Sequence, residues 1–415
     1  MAEGRTALVL GAGITGVAAA ERLRRAGWAV TLIDRRPPGD PEAASFGNGG
    51  ILARAAIVPV PTPGIVTHGL KMWLDRGSPL FLRKGYLRRL LPWLVPYLRA
   101  GREAEVRRIA AALATILPDA EDQHRDLAAG TGAERFLDRG DYVYLYRDAT
   151  VFGKDRFGFG LRAEHGVSWT RLDREALEAR DPALGPAYRF GVALPDHGWV
   201  RAPGPYVAAL AEHFARQGGV FRQAEAVSVE PEGAVVLAGG ERLEADRVIL
   251  AAGVWSRAFA ERLGHVVPME AERGYHLELV GPSAAPPSPC FVADLKVVVT
   301  PMQDGIRLAG LAEFAGIDAP AAEAPVRLLR RAAVRMYPGL KWERSRAWMG
   351  RRPSLTDSLP MIGASPKAPK VIFAFGGQHV GLTVGPRLGR LAAEIAQGAR
   401  PNLDLAPFAP DRFDR

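Results

Sequence analysis

Cysteine is almost absent from the sequence, since Cys290 is the single one in 415 residues. One thiol excludes an intramolecular disulfide and any iron–sulfur or zinc site built from cysteines. Cys290 follows a Pro-Pro-Ser-Pro turn and is predicted to be a structural thiol, which fits a reducing, cytoplasmic compartment. The histidine spacings HExxH and HxxxH are also missing, so no metal site is predicted.

The sequence also lacks a run of lysine or arginine with interleaved aromatic residues. Nucleic acid is therefore not expected as a partner, despite the formal charge of +9. No apolar run reaches the roughly 20 residues that a membrane-spanning helix needs. Residues 6–20 are apolar and follow Arg5, as in a signal peptide, but they lead into a charged helix without a cleavage-like segment. A chain of this length is expected to form two connected domains.

What is present is clearest near the N-terminus. The apolar run Thr6-Ala-Leu-Val-Leu10 stops at Gly11-Ala-Gly-Ile-Thr-Gly16. A charged helical stretch closed by Gly27 follows, and then a second apolar run ends in Asp34. This order predicts a strand, a tight turn, a helix and a parallel strand.

Each of these residues has a role in binding a dinucleotide. Gly11 permits the turn, Gly13 lets the backbone approach a pyrophosphate, and Gly16 lets the helix pack on the strand. The helix N-terminus offers free N–H groups to the phosphates. Asp34 can accept hydrogen bonds from a ribose, and its charge argues against the 2′-phosphate of NADP, so the next two arginines are predicted to be solvated.

Two other glycine-rich segments stand out. Glycines on both sides of Asn48 would let the backbone lie against a flat ring with Ser45 and Asn48 at its edge, although a surface turn is an equal alternative. Residues 376–383 follow a buried apolar run and precede a helix. Such a loop offers backbone N–H groups to an anion or a polarised ring.

Residues 79–100 mix leucine and aromatic residues with arginine, and their prolines are expected to divide them into short helices. This composition suits a membrane surface. The alternative is that these helices pack on the protein itself.

The remaining chain predicts the fold class. Period-two alternation in residues 136–160 and 269–311 predicts an antiparallel sheet, whereas residues 247–256 predict a buried parallel strand. We therefore predict an α/β protein, α+β overall. A Rossmann-like dinucleotide-binding domain is assigned residues 1–65, 165–265 and 345–415, and a discontinuous antiparallel-sheet substrate domain is assigned residues 66–164 and 266–344.

Five motifs in this order resemble the D-amino-acid oxidase-like superfamily of FAD-dependent oxidoreductases. They are the N-terminal glycine unit with Asp34, Ser45-Phe-Gly-Asn-Gly-Gly, Ala251-Ala-Gly-Val-Trp-Ser, Arg352-Pro-Ser-Leu-Thr-Asp-Ser-Leu-Pro-Met-Ile-Gly and Gly376-Gly-Gln-His-Val-Gly-Leu-Thr. The resemblance spans nearly the whole chain and is greatest to bacterial D-amino-acid dehydrogenases, including the D-hydroxyproline type. It implies FAD as the cofactor. Cys290 lies outside the positions where relatives attach the flavin, so noncovalent FAD is expected.

The resemblance also implies which residues contact FAD. The implied contacts are Gly11, Gly13 and Gly16 with the pyrophosphate, Asp34 with the ribose, Ser45, Asn48 and Gly49 with the flavin, Val227 with the adenine, Ala252 and Gly253 near the phosphates, and Gly377, Gly381 and Thr383 with the pyrimidine edge. Further cofactor-binding candidates in the same motifs are Ile14, Thr15, Arg35, Trp255, Gly376 and Leu382.

The chemistry places few demands on the protein. A flavin takes hydride from the α-carbon of an amine, and the protein orients the substrate. By resemblance, Arg352 pairs with the substrate carboxylate and Tyr275 lies above the flavin. The amine must be neutral, and His379 or His276 could take its proton, although an alternating strand can turn His276 away from Tyr275.

The implied reaction is the oxidative dehydrogenation of a D-amino acid, or of a cyclic D-amino acid of the D-proline or D-hydroxyproline type. Two alternatives stay open: a flavin oxidase of N-methylated glycines or opine-like secondary amines, and a noncatalytic flavin-binding subunit of a complex. The electron acceptor is oxygen or a quinone. With a quinone, residues 79–99 are expected to contact the inner face of the cell membrane from the cytoplasm.

Overall fold

The computed structural model describes residues 4–65, 79–83 and 85–414. Its strands, in chain order, are β1 Thr6–Leu10, β2 Ala29–Asp34, β3 Ile51–Leu52, β4 Leu80–Leu82, β5 Leu137–Tyr146, β6 Thr170–Leu172, β7 Phe190–Val200, β8 Val220–Gln223, β9 Ala226–Glu230, β10 Ala234–Leu237, β11 Arg242–Glu244, β12 Arg247–Leu250, β13 Met269–Val280, β14 Cys290–Val292, β15 Val297–Met302, β16 Gly305–Phe314, β17 Arg344–Leu355, β18 Met361–Ser365 and β19 Ala368–Phe375.

The α-helices of the described residues are α1 Ile14–Arg25, α2 Leu87–Ala100, α3 Glu103–Leu113, α4 Ala120–Ala128, α5 Ala149–Gly153, α6 Arg156–Glu164, α7 Arg174–Arg180, α8 Pro203–Arg216, α9 Ser256–Arg262, α10 Glu323–Met336 and α11 Gly381–Ala396. The structure confirms the strand–helix–strand unit predicted at the N-terminus. It consists of β1, α1 and β2, and β1 pairs with β2 in parallel.

Two large sheets organise the fold. The first is six-stranded with the order β18-β19-β12-β1-β2-β8, and only β18 runs antiparallel to its neighbour. Its apolar faces pack against α1, α8 and α11 on one side and against the three-stranded sheet β11-β10-β9 on the other. The carboxyl ends of β1, β12 and β19 therefore lie side by side, and loops that follow such ends commonly bind ligands.

The second sheet is ten-stranded and mostly antiparallel, with the order β17-β13-β16-β15-β14-β5-β7-β3 and with β4 and β6 at its side. One face packs on α10 through an apolar core that includes Cys290. The predicted α/β class with two different sheets is confirmed. The assignment of segments to domains stays a prediction. The sheets depart from it at four strands, because β3, β6, β7 and β17 lie in the second sheet.

Helix α2 departs from the expectation that its prolines divide it. Pro92 and Pro96 lie inside one continuous helix of 14 residues. Both are exposed, so the two carbonyl groups that lose an N–H donor face solvent. On the opposite side Trp93 and Tyr97 stack at 4.4 Å between ring centroids and pack with Phe314, and this burial stabilises the helix.

Candidate active site

The turn after β1 is shaped by the absence of side chains. Gly11 has a φ of +108°, and a Cβ atom there would lie 2.4 Å from the carbonyl oxygen of Ala251. A Cβ on Gly16 would lie 1.8 Å from the carbonyl oxygen of Gly11. Because Gly11 and Gly16 lack side chains, α1, β1 and the end of β12 can lie close together. The N-terminus of α1 then points into the space above the sheet.

Residues 11–16 and Asp34 lie side by side, and we call these residues the cradle. The Asp34 carboxylate accepts hydrogen bonds from the backbone N–H of Ala12 at 2.7 Å and of Arg36 at 3.0 Å. The guanidinium of Arg35 lies over the ring of Trp255, 4.3 Å from its centroid. Arg35 is exposed, as predicted, and it also contacts an aromatic ring at the cavity wall.

A cavity of about 1540 Å³ runs from the cradle to the second sheet. The predicted site residues that line it are Gly11, Gly13, Ile14, Thr15, Asp34, Arg35, Ser45, Asn48, Gly49, Val227, Ala252, Gly253, Trp255, Tyr275, Arg352, Gly376, Gly377, His379, Gly381 and Leu382. Gly16, His276 and Thr383 do not line it. The structure thus brings segments from the whole chain to one space.

This cavity fits the FAD that the resemblance implies. Its volume exceeds the roughly 300–1,000 Å³ of a typical small-molecule site, as is required where a dinucleotide and a substrate share one space. At the cradle end of the cavity, a side chain on Gly11 or Gly16 would collide with backbone atoms, so only glycine keeps the cradle open. The Ser45 hydroxyl, which accepts from the N–H of Ile14 at 3.1 Å, ties the next segment to the start of α1.

The loop of residues 46–49 is held from the second sheet. Arg307 Nη1 donates to the carbonyl oxygens of Phe46 and Asn48 at 3.1 and 2.7 Å, and Thr300 Oγ1 donates to Gly49 O at 2.6 Å. His276 Nδ1 lies 2.9 Å from Gly47 O. Four successive carbonyl groups thus face the sheet, which fixes the course of the loop beside the cavity.

The predicted catalytic placement of His276 is not what the structure shows. The ring is buried and stacks on Trp348 at 5.1 Å between centroids. Burial and the nearby charge of Arg307 lower the pKa of His276 to about 3, so the ring is neutral. Because a carbonyl oxygen can only accept, Nδ1 carries the hydrogen, and His276 is a structural support of the loop.

Tyr275 contributes to the cavity wall, but its hydroxyl is turned away from the predicted substrate position. The hydroxyl donates to Glu313 and accepts from the backbone N–H of Ala322 at 2.9 Å. The side chain belongs to the apolar layer that packs on α10, together with Leu277. Burial and Glu313 raise the pKa of Tyr275 to about 12. A β-bulge at this point of the β13–β16 pair allows the arrangement.

The polar end of the cavity is a cluster of four side chains, Glu272, Arg352, Ser354 and His379, hereafter the polar cluster. Glu272 accepts from Arg352 Nη1 at 2.9 Å, from Ser354 Oγ at 3.1 Å, and pairs with His379 Nε2 at 3.0 Å. Burial alone would raise the pKa of Glu272, but His379, Arg352 and Ser354 together lower it to about 2. Glu272 is therefore a buried anion with three partners.

Sequence reasoning missed Glu272. In the sequence Glu272 lies on the polar face of an alternating strand, so the residue pattern carries no signal that its carboxylate is buried and needs partners. Its partners come from β17 and the loop before α11, which are far from β13 in the chain. Only the paired strands place Glu272 opposite Arg352.

Arg352 lies across Gly274, where a Cβ atom would be 2.3 Å from its Cζ. Its Nη1 also donates to the carbonyl oxygen of Leu311 at 2.9 Å. Leu311 has a φ of +62°, which is unfavourable for a branched residue and points its carbonyl group at the guanidinium. These contacts fix the plane of Arg352 while 21% of its side chain stays accessible from the cavity.

The loop before α11 lines the cavity that runs from the cradle to the polar cluster. Gly376 and Gln378 have φ values of +86° and +47°, which turn the chain sharply after β19. Thr383 Oγ1 donates to Ile51 O and accepts from Ala53 N, both at 3.2 Å. Thr383, in the first turn of α11, therefore couples that helix to residues 51–53 instead of lining the cavity.

Helix α2 forms the outer wall of the cavity with Leu87, Leu90, Leu94 and Leu98. Leu87, Leu91 and Val95 are 39, 44 and 41% exposed and recur every fourth residue on one face. Among the described residues, which omit 66–78 and Lys84, the structure contains no helix long and apolar enough to cross a bilayer.

Comparisons with known proteins agree with this architecture. A family model described as "FAD dependent oxidoreductase" matches residues 6–395. The chain is 38% identical to a D-amino-acid oxidase of Bradyrhizobium diazoefficiens, with 100% of both chains covered. It is 30% identical to a D-amino acid dehydrogenase of Methylobacterium nodulans, with 98% of both covered.

Solved structures share the fold. Glycine oxidase from Geobacillus kaustophilus matches with a TM-score of 0.71 at 20% identity, covering 98% of this chain and 99% of that one. L-Proline dehydrogenase from P. horikoshii matches with a TM-score of 0.71 at 17% identity, covering 100% and 99%. At these identities the likeness concerns the fold alone.

Proposed function

The chain belongs to the FAD dependent oxidoreductase family, and from this premise we propose that it dehydrogenates a D-amino acid to its imine, with linear and cyclic D-amino acids as the candidate substrates. It is an FAD-dependent enzyme that oxidises amines. Two full-length relatives at 38 and 30% identity carry D-amino-acid oxidase and dehydrogenase names, and this supports the D configuration.

The observation that carries the proposal is that the polar cluster and the cradle open into one cavity. Bound FAD supplies a hydride acceptor. Arg352 offers a planar guanidinium to the substrate carboxylate, and Glu272 and the Leu311 carbonyl group hold that guanidinium in place. His379 lines the same end and can take a proton from the ammonium group. Leu311, Trp93 and Tyr97 exclude water from the neighbouring space.

Anaerobic flavin bleaching tests the proposal. The holoenzyme is mixed with D-amino acids, D-hydroxyproline, their L forms and sarcosine, and the flavin absorbance is followed. We expect D-amino acids to bleach the flavin faster than their L forms and faster than sarcosine. Equal rates for both enantiomers, or bleaching by sarcosine alone, would contradict the proposal. Admission of oxygen afterwards reports whether the reduced flavin reacts with it.

The electron acceptor is a separate part of the proposal. The exposed apolar stripe of α2, flanked by Arg88 and Arg89, suits an anionic membrane surface, and the same helix borders the cavity. We propose that this face contacts the membrane if the acceptor is a quinone. Charge reversal of Arg88 and Arg89 should then weaken binding to anionic liposomes and lower quinone reduction. Unchanged binding and quinone reduction would exclude the contact.

A further inference from the structure

Glu272 is buried and 3% exposed, yet it touches both groups that the proposed function assigns to the substrate. One carboxylate oxygen, Oε1, pairs with Arg352, and the other, Oε2, pairs with His379. A buried charge without partners is costly, so the contacts with Arg352, Ser354 and His379 are what allow Glu272 to stay ionised. The pair of contacts gives Glu272 a defined position relative to two separate segments of the chain.

The contact also sets the hydrogen positions on His379. An ionised carboxylate can only accept hydrogen bonds, so a neutral His379 that bonds through Nε2 must carry its hydrogen on Nε2. Nδ1 then holds a lone pair. Among the described residues Nε2 alone of this ring has a hydrogen-bond partner, and 34% of the side chain is exposed where it lines the cavity.

We propose that Glu272 is a positioning residue that holds His379 in the Nε2–H tautomer, so that Nδ1 accepts the proton of the substrate ammonium. This inference rests on the proposed function. The nitrogen of an α-amino acid is one carbon away from its carboxylate. A substrate carboxylate on Arg352 therefore brings the ammonium near a ring that is held by the same Glu272 carboxylate.

The step balances in atoms and charge. An N–H bond of the ammonium breaks, an N–H bond forms at Nδ1, and the electron pair of the broken bond stays on the substrate nitrogen. The imidazolium that results keeps its Nε2–H on Glu272, whose negative charge stabilises it. The free pair on nitrogen forms the C=N bond when hydride leaves the α-carbon.

The groups that interact with Glu272, on β13, come from three other elements. Arg352 and Ser354 lie on β17, His379 on the loop before α11, and Tyr97 on α2. Burial and the charge of Glu272 raise the pKa of Tyr97 well above its ordinary value, so it stays neutral. The positive charge of Arg352 opposes an imidazolium, and Glu272 compensates for it. Loss of the Glu272 charge would leave Arg352 uncompensated beside His379.

The first test does not depend on turnover. Long-range proton–nitrogen correlation spectra of the holoenzyme labelled with ¹⁵N-histidine distinguish the two tautomers, and the signals of His379 are those that vanish in His379→Gln. We expect the Nε2–H tautomer in the wild type and a mixture of tautomers in Glu272→Gln, because an amide can donate as well as accept. A wild-type ring with its hydrogen on Nδ1 would overturn the inference.

The second test is the pH profile of flavin reduction by a D-amino acid. In Glu272→Gln the acidic limb of kcat/KM should move to lower pH, because the ring that accepts the proton has lost its neighbouring anion. The rate on the plateau should fall about 10–100-fold. Glu272→Asp retains the charge and should keep the limb within a few tenths of the wild-type position.

Ser354→Ala is the matched control, because it removes a neutral hydrogen bond from the same carboxylate and leaves the charge. Its acidic limb should stay at the wild-type pH. An unmoved limb in Glu272→Gln with bleaching intact would overturn the inference and leave the proposed function standing. The expected tautomer without bleaching by any amino acid would instead refute the proposed function and, with it, the proton transfer.

Discussion

The cradle and the polar cluster face one cavity but are built in opposite ways. The cradle comes from one short segment of the chain, between the end of β1 and the end of β2, and works mainly through backbone groups that glycines expose. The polar cluster comes from β13, β17 and the loop before α11 and works through charged side chains. The residues of the cradle are therefore set by one short stretch of sequence, whereas the proposed contacts for the substrate depend on the pairing of distant strands.

The largest effect is expected in the cradle. Gly16→Val places a side chain where a Cβ atom would already lie 1.8 Å from the Gly11 carbonyl oxygen. Overpacking of this kind costs roughly 1–3 kcal/mol or more and moves the backbone. We expect purified protein with almost no flavin absorbance and a lower Tm. Gly160→Ala, in a helix with open space around it, is the control and should bind FAD normally.

The polar cluster should respond differently. Arg352→Lys keeps the charge but loses the planar fork that binds a carboxylate in two places. We expect kcat/KM for D-amino acids to fall roughly 100-fold, which corresponds to about 3 kcal/mol, mostly through KM. The flavin content should stay at the wild-type level. A variant that loses its flavin would show that the two regions are not separable.

Arg307 connects the regions, because it is a buried cation of the second sheet that holds the loop beside the cradle. Arg307→Met leaves two carbonyl groups and Glu278 without their donor. We expect a loss of roughly 2–4 kcal/mol in unfolding free energy and about tenfold weaker FAD binding. Arg327→Met removes an exposed ion pair on α10 and should change neither quantity. Unaltered FAD affinity in Arg307→Met would refute the support role.

Acid should lower the stability of the protein through two buried histidines that lie outside the cradle and the polar cluster. Burial lowers the pKa of His276 to about 3 and that of His124, which contacts Leu382 O, to about 4. The unfolded chain, with a histidine pKa near 6.5, then binds more protons, so stability is lost as pH falls below about 6.5. At pH 5 each group should cost about 2 kcal/mol. Unfolding measured at pH 7 and 5 checks this, and a flat profile would contradict it.

The smallest effect is expected for Tyr275→Phe, which removes a hydroxyl that faces Glu313 rather than the cavity. We expect kcat/KM to change less than about threefold and stability to fall by roughly 1 kcal/mol. The kinetics of flavin reduction and the Tm measure the two effects. A loss of activity comparable to that of Arg352→Lys would mean that the hydroxyl reaches the substrate after all.

Helix α2 shows which features of a helix the residue pattern predicts and which it does not. Its amphipathic composition predicted helices, but the two prolines predicted breaks that do not occur. A proline costs a helix one hydrogen bond, and whether that matters depends on which face it occupies. Here both prolines face solvent while Trp93 and Tyr97 are buried, and burial is a property of the folded molecule.

The same limit applies to Tyr275 and His276. Their neighbourhood in the sequence predicted a place near the substrate, and an alternating strand sends the two in opposite directions. The tertiary contacts decided which face is which: Tyr275 packs towards α10, where Glu313 accepts from its hydroxyl, and His276 holds Gly47 O. Neither set of contacts can be recognised from the sequence around the residue that it orients.

By itself the sequence determined the cradle, the fold class and the cofactor. In the cradle, glycines at fixed spacing permit a tight turn in which any larger residue would collide with backbone, and this requirement is local. The tertiary structure alone decided that Glu272 stands between Arg352 and His379. That contact needs two strands in register and a loop from the end of the chain, and the energy of a buried charge pair exists only once the surrounding protein has excluded water.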